Sequence, residues 1–71
     1  MKRYLVIFEK TATGYSAYVP DLPGCIATGD TKLATELNMA EALQFHLEGM
    51  ALEGLPIPPG NAEGEVMVIA A

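Results

Sequence analysis

Tyr18-Val-Pro-Asp-Leu-Pro-Gly-Cys-Ile-Ala-Thr-Gly-Asp30 joins two apolar strand candidates to the only segment with sustained helical periodicity, so its reading decides the fold. Pro20 and Pro23 each fix their own φ and push the preceding residue toward extended geometry, so Val19 and Leu22 are expected to be non-helical. Pro23-Gly24 suits the centre of a type II turn, with proline second and glycine where φ must be positive. Asp21 can bond nearby backbone N–H groups as an Asx-type turn residue. Gly29-Asp30-Thr31 then supplies a stop and a start. Either Asp30 or Thr31 can place a side-chain oxygen on the free N–H groups of a following helix.

Upstream, Tyr4 to Phe8 is β-branched and aromatic, is bounded by charges, and is apolar on both faces, which suits a central strand. Glu9 to Gly14 reads as a hairpin loop and Tyr15 to Val19 as the second strand. Cys25 to Thr28 is a short third strand. From Lys32 to about Glu53 there is no proline, and Gly49 is the one weak interior residue of a helix. Leu33, Leu37, Ala40, Leu43, Leu47, Met50 and Ala51 recur at intervals of three and four and are expected to form its inward stripe. Phe45 and Ala42 fall on the other side of the wheel and, with Gly49, are expected to form a second contact surface. Gly54 can end the helix, and the prolines of Gly54 to Gly60 make a stiff extended connector. Glu65 to Ala70 reads as a last strand, with Val66, Val68 and Ala70 on one face and Met67 and Ile69 on the other.

The order β-β-β-α-β describes an α+β fold. If the first three strands form a meander, a right-handed helical crossover returns the fourth beside the first, in a mixed four-stranded sheet of order 3-2-1-4 with one helix on one face. One helix covers only one face, whereas the first and last strands are apolar on both. A homodimer is therefore expected, through the open sheet face, through the Phe45 side of the helix, or through both, with Val66 and Val68 among the candidate interface residues.

The 71 residues make one domain, 1–71, and a chain of this size buries only about 60% of its unfolded surface. Small domains commonly gain support from disulfides, metals or oligomerisation. Cys25 is the single cysteine and His46 the single histidine, so neither an internal disulfide nor a zinc site is available. No apolar run approaches the roughly 18 residues of a membrane span. Met1-Lys2-Arg3 is followed by only five apolar residues, too few for a signal peptide, so a cytoplasmic location is expected. Nine acidic and four basic side chains give a net charge of −5, which argues against direct nucleic-acid binding and accommodates a basic protein partner.

Catalytic chemistry finds little footing. A two-metal nuclease with this strand order needs carboxylates converging on the metals, including one from the middle of the first strand, and that strand has none. Glu9, Asp21 and Asp30 lie at strand or loop ends, and Glu36, Glu41, Glu48 and Glu53 scatter along the helix. Cys25 has only His46 as a potential base, with nothing to bring the two together. The residues describe a binding or assembly module rather than an enzyme, with no cofactor.

Tyr15, the run Val19-Pro-Asp-Leu-Pro-Gly-Cys25, Gly29-Asp30-Thr31, Asn38, Glu41-Ala42-Leu43 and Ile57-Pro58 together resemble the HicB-like domain of type II toxin–antitoxin systems, over nearly the whole chain. The resemblance implies a partial, degenerate ribonuclease-H-like fold without its catalytic carboxylates. It also implies a partner: a small basic toxin of the HicA type, an mRNA-cleaving ribonuclease that the antitoxin neutralises by contact. HicB antitoxins commonly carry a C-terminal DNA-binding domain, which is not expected here, so operator binding is not carried over. The alternative is an orphan HicB-like module that self-assembles without a toxin, and a residual metal-dependent hydrolase is more remote. Within the turn, Asp21 is the residue to test at an interface.

Overall fold

The computed structural model describes residues 1–71. Strands β1 (Ile7–Lys10), β2 (Tyr15–Tyr18) and β3 (Ile26–Gly29) are followed by one helix, α1 (Lys32–Leu52). The strands form an antiparallel meander in the order β1-β2-β3. Phe8 lies opposite Ala17 and Ala17 opposite Ala27, while Ile7 lies opposite Tyr18 and Tyr18 opposite Ile26. Alternation therefore sends the first row to one face and the second row to the other. The helix packs on the Ala17 face, over β3 and β2 rather than β1. Between them lies a small core of Ala17, Val19, Leu22, Cys25 and Met39, flanked by Tyr4, Val6, Phe8, Leu43, Leu47 and Met50.

The β1–β2 loop is closed by Thr11 N–H donating to the Gly14 carbonyl at 2.9 Å, while Gly14 N–H donates to Thr11 Oγ1 at 3.1 Å. The ladder starts at Ile7, later than the apolar run from Tyr4. Continuing the register of Ile7 with Tyr18 would set Leu5 opposite Pro20, which has no N–H to donate. Val19 N–H faces the other neighbour, donating to the Cys25 carbonyl at 3.3 Å in continuation of the β2–β3 register. Tyr4 to Val6 therefore approach the sheet without ladder bonds.

Between β2 and β3 the chain makes two successive turns. Leu22 N–H donates to the Val19 carbonyl at 3.0 Å and Cys25 N–H to the Leu22 carbonyl at 3.1 Å. Pro20 and Pro23 occupy the second position of each, and Gly24 has φ +87° at the third position of the latter, as a type II turn requires. The corner drives the Leu22 side chain into the core, where it is almost wholly buried.

Thr31 caps α1: its Oγ1 accepts from Ala34 N–H at 3.0 Å, with the backbone extended at φ −131°. One turn on, Thr35 is fully buried, its hydroxyl donating to the Thr31 carbonyl at 2.8 Å. This bond removes the cost of burying the hydroxyl. Gly29 makes room for it, because a Cβ there would lie 2.7 Å from both the amide nitrogen and Oγ1 of Thr35. The inward face is therefore centred on Thr35 and Met39, with Leu43, Leu47 and Met50 at its margin. That corrects the expected inward stripe: Leu33 is 65% and Leu37 62% exposed, and Ala40 and Ala51 are also outside. At the other end, Gly54 has φ +70°, its N–H donates to the Ala51 carbonyl, and Leu55 N–H donates to that of Met50, the paired bonds of a Schellman motif.

The expected four-stranded sheet of order 3-2-1-4 is not formed: there are three strands, and Glu65 to Ala70 is not one of them. After α1 the connector passes the start of β1. Tyr4 Oη donates to the Pro58 carbonyl at 2.6 Å, Gly60 abuts the Arg3 carbonyl, and Gly64 lies against the Leu5 side chain. Beyond that point the chain leaves the body, with Val66 93% and Val68 97% exposed. The reason lies in the connector: tied at Pro58 by Tyr4 and at Ala62 by Asp21, it is held at the start of β1, and residues 65–70 leave the body instead of turning back along that edge. The departing tail stretches the long axis to 47 Å and the radius of gyration to 13.7 Å, against about 11 Å for a compact chain of this length.

Candidate partner-binding surface

The rotation fixed by Thr35 and Gly29 determines what α1 shows to solvent. Leu37, Glu41, Phe45, Glu48 and Leu52 follow one another at steps of four, four, three and four. At about 100° per residue they fall within roughly 80° of one another, opposite Met39. All five are exposed, Phe45 at 79%. The result is a ridge of three large apolar side chains with two carboxylates between them. Phe45 also borders an open groove of about 450 Å³, whose floor includes Leu22, His46, Gly49 and Met50.

The anticipated contact set of Ala42, Phe45 and Gly49 is divided by this geometry. Phe45 is outside, and Gly49 is half-buried in the groove. Ala42 is half-buried and packed against the core, not on the outer face with Phe45. Leu37 and Leu52, the other apolar members of the ridge, lie outside that set. The signal that points to them is Gly29, a strand residue whose missing side chain implies something pressed against it; Thr35 then sets the wheel.

Asp21 has a different task from a local turn bond. Its Oδ2 accepts from Ala62 N–H at 2.9 Å, a tie across 41 positions of sequence that anchors the connector to the corner. Val66 and Val68 are far from the ridge in sequence and stand free on the projecting tail. Pro20, Pro23, Gly24, Gly29 and Thr31 shape the backbone as described, while Asp30 is exposed and Thr31 rather than Asp30 holds the cap.

Cys25 is buried with its Sγ 3.9 Å from Met39 Sδ. Burial pushes its thiol up from the ordinary value, which keeps it protonated and a poor nucleophile at neutral pH. No three His, Cys, Asp or Glu side chains converge where they could hold a metal ion. No helix is long and apolar enough to cross a membrane.

Residues 4–68 match the HicB-like antitoxin of bacterial toxin–antitoxin systems. The chain belongs to this family. The resemblance carried by the Pro-Asp-Leu-Pro-Gly-Cys corner is thereby borne out over residues 4–68. Relatives of this HicB-like chain include a 14.9 kDa protein from the rep-hol intergenic region of Haemophilus phage HP1, 43% identical over 58 residues that make up 82% of this chain and 44% of the phage protein. A UPF0150 protein of Thermoplasma acidophilum is 39% identical over 62 residues, 86% of this chain and 90% of that protein. The HicB-like chain thus spans less than half of the phage relative and nearly all of the archaeal one. Among solved structures, a chain of the HicA3 and HicB3 toxin–antitoxin complex superposes with a TM-score of 0.72 at 35% identity, over 83% of this chain and 70% of that one. The crystal structure of antitoxin HicB3 gives 0.70 at 33% identity, over 84% of this chain and 44% of that one.

Proposed function

We propose that this HicB-like chain is an antitoxin module that binds and neutralises a small basic toxin of the HicA type by protein–protein contact, without catalysis and without touching nucleic acid itself. The observation that carries the reading is the exposed ridge Leu37-Glu41-Phe45-Glu48-Leu52, on a fold that superposes on a chain of a toxin–antitoxin complex. Apolar side chains supply desolvated contact and the carboxylates between them favour a cationic partner and disfavour an anionic one. The net charge of −5 extends that preference over the whole surface. A toxin that cleaves mRNA acts in the cytoplasm, and the module acts there with it.

Co-expression with a small basic protein of the HicA type tests the reading. The wild-type chain is expected to co-purify with that protein and relieve its growth arrest. Phe45→Glu is expected to weaken the complex by about 2 kcal/mol, roughly 30-fold, as the loss of a central aromatic contact does. Its circular dichroism should stay unchanged, because Phe45 lies outside the core. Toxicity that persists in the presence of the folded wild-type chain overturns the proposal.

A further inference from the structure

Two parts of this chain are unpaired in complementary ways. Residues 65–70 form a stretch with apolar side chains on both faces, standing away from the body. The outer edge of β1 is the other part: β2 occupies its inner edge, and no helix covers it. Of the eight backbone hydrogen bonds outside helix and strands, none involves residues 1–6 or 56–71. We infer that residues 65–70 serve as a strand for a second copy of this chain, laid along the free edge of that copy's β1 in a reciprocal exchange.

The match is specific in length, polarity and charge. Six extended residues span about 20 Å, enough for the four residues of β1. On the helix side of β1, Tyr4, Val6, Phe8, Ala40 and Leu43 border an open groove of about 420 Å³ that can take alternate side chains of an incoming strand. On the other face, Ile7, Tyr18 and Ile26 make a cross-strand row, continued by the remaining side chains of that strand. The segment begins with Glu65, with Glu63 just before it, and three of the four basic side chains, Lys2, Arg3 and Lys10, flank β1.

A second copy is the occupant because both halves of the match belong to one chain. A two-fold axis pairs each tail with the other's edge and leaves neither open, whereas a foreign strand on β1 would leave the tail exposed. β3, the other outer strand, already has its Thr28 carbonyl engaged by Asn38 Nδ2 at 2.8 Å. The added strand is the partner's, so each chain's own sheet stays three-stranded. Each corner holds its own connector through Asp21 and Ala62, which aims the tail outward.

Sedimentation and hydrogen exchange on the full chain test this, and both are read without any toxin, so failure here leaves the antitoxin reading standing. The wild-type chain is expected to be a dimer at micromolar concentration, with amides in both 65–70 and β1 gaining protection as concentration rises. Val68→Pro removes a ladder donor from a residue that touches nothing in the monomer, so the body should fold normally. It is expected to weaken dimerisation at least tenfold and remove both sets of protection together. A monomeric wild-type chain, a dimer insensitive to Val68→Pro, or protection confined to 65–70, which would mean that the tails pair with each other, overturns the inference.

Discussion

Gly29 and Gly49 are the same residue type under opposite constraints. A Cβ on Gly29 would lie 2.7 Å from the Thr35 amide nitrogen and 3.0 Å from its Cα, backbone atoms of α1 that cannot rotate out of the way. Gly49 sits inside α1 with nothing within 4 Å of where its Cβ would be. Gly29→Ala is therefore expected to destabilise the fold by about 1–3 kcal/mol through overpacking. Gly49→Ala is expected to stabilise it by about 0.5–1 kcal/mol through helix entropy. Urea unfolding of the two variants reads the difference in sign directly, and a neutral Gly29→Ala would mean that α1 is not seated where described.

At the scale of elements, the connector after α1 is held to the body by few bonds. It has no regular structure, and its ties are the Tyr4 hydroxyl on the Pro58 carbonyl and the Asp21 carboxylate on Ala62 N–H. Asp21→Ala is expected to raise the exchange rate of the Ala62 amide at least tenfold while leaving α1 amides unchanged. An unaltered rate at Ala62 would show that the carboxylate is not its partner. This tie also marks what a sequence can and cannot disclose. The corner at Pro20 to Gly24 and the end of α1 at Gly54 are legible because proline and glycine impose φ locally. The destination of Asp21 is not, because a carboxylate next to a turn is chemically suited to the turn as well as to a connector that arrives 41 residues later. The phase of α1 is hidden from the sequence for a related reason. Counting leucines ranks Leu33 and Leu37 above Thr35, and only the Thr31 carbonyl makes burying a threonine cheap. Glu65 to Ala70 is a sound local strand pattern, but a strand requires a partner edge, and with the connector tied at Pro58 and Ala62 these residues do not turn back along β1.

The whole molecule carries −5 on a small, elongated body, and that charge acts before any contact is made. Steering by a field of this kind is expected to slow association with a basic toxin about tenfold or more between low salt and a few hundred millimolar salt, with the dissociation rate changing much less. Stopped-flow association across ionic strength measures this, and a salt-independent on-rate would assign the binding to apolar contact alone. The core beneath this surface is small, six buried residues including Thr35, so one contact can govern the orientation of an entire element. The fit of Thr35 against Gly29 does so. It works as the stop on a dial: the angle at which α1 is presented is decided in β3, while what is presented is written on the far side of the helix. A screen for variants with altered partner choice would accordingly recover changes in β3 that no partner ever touches, since turning the dial by one residue's width replaces Phe45 on the outer ridge without altering a single ridge residue.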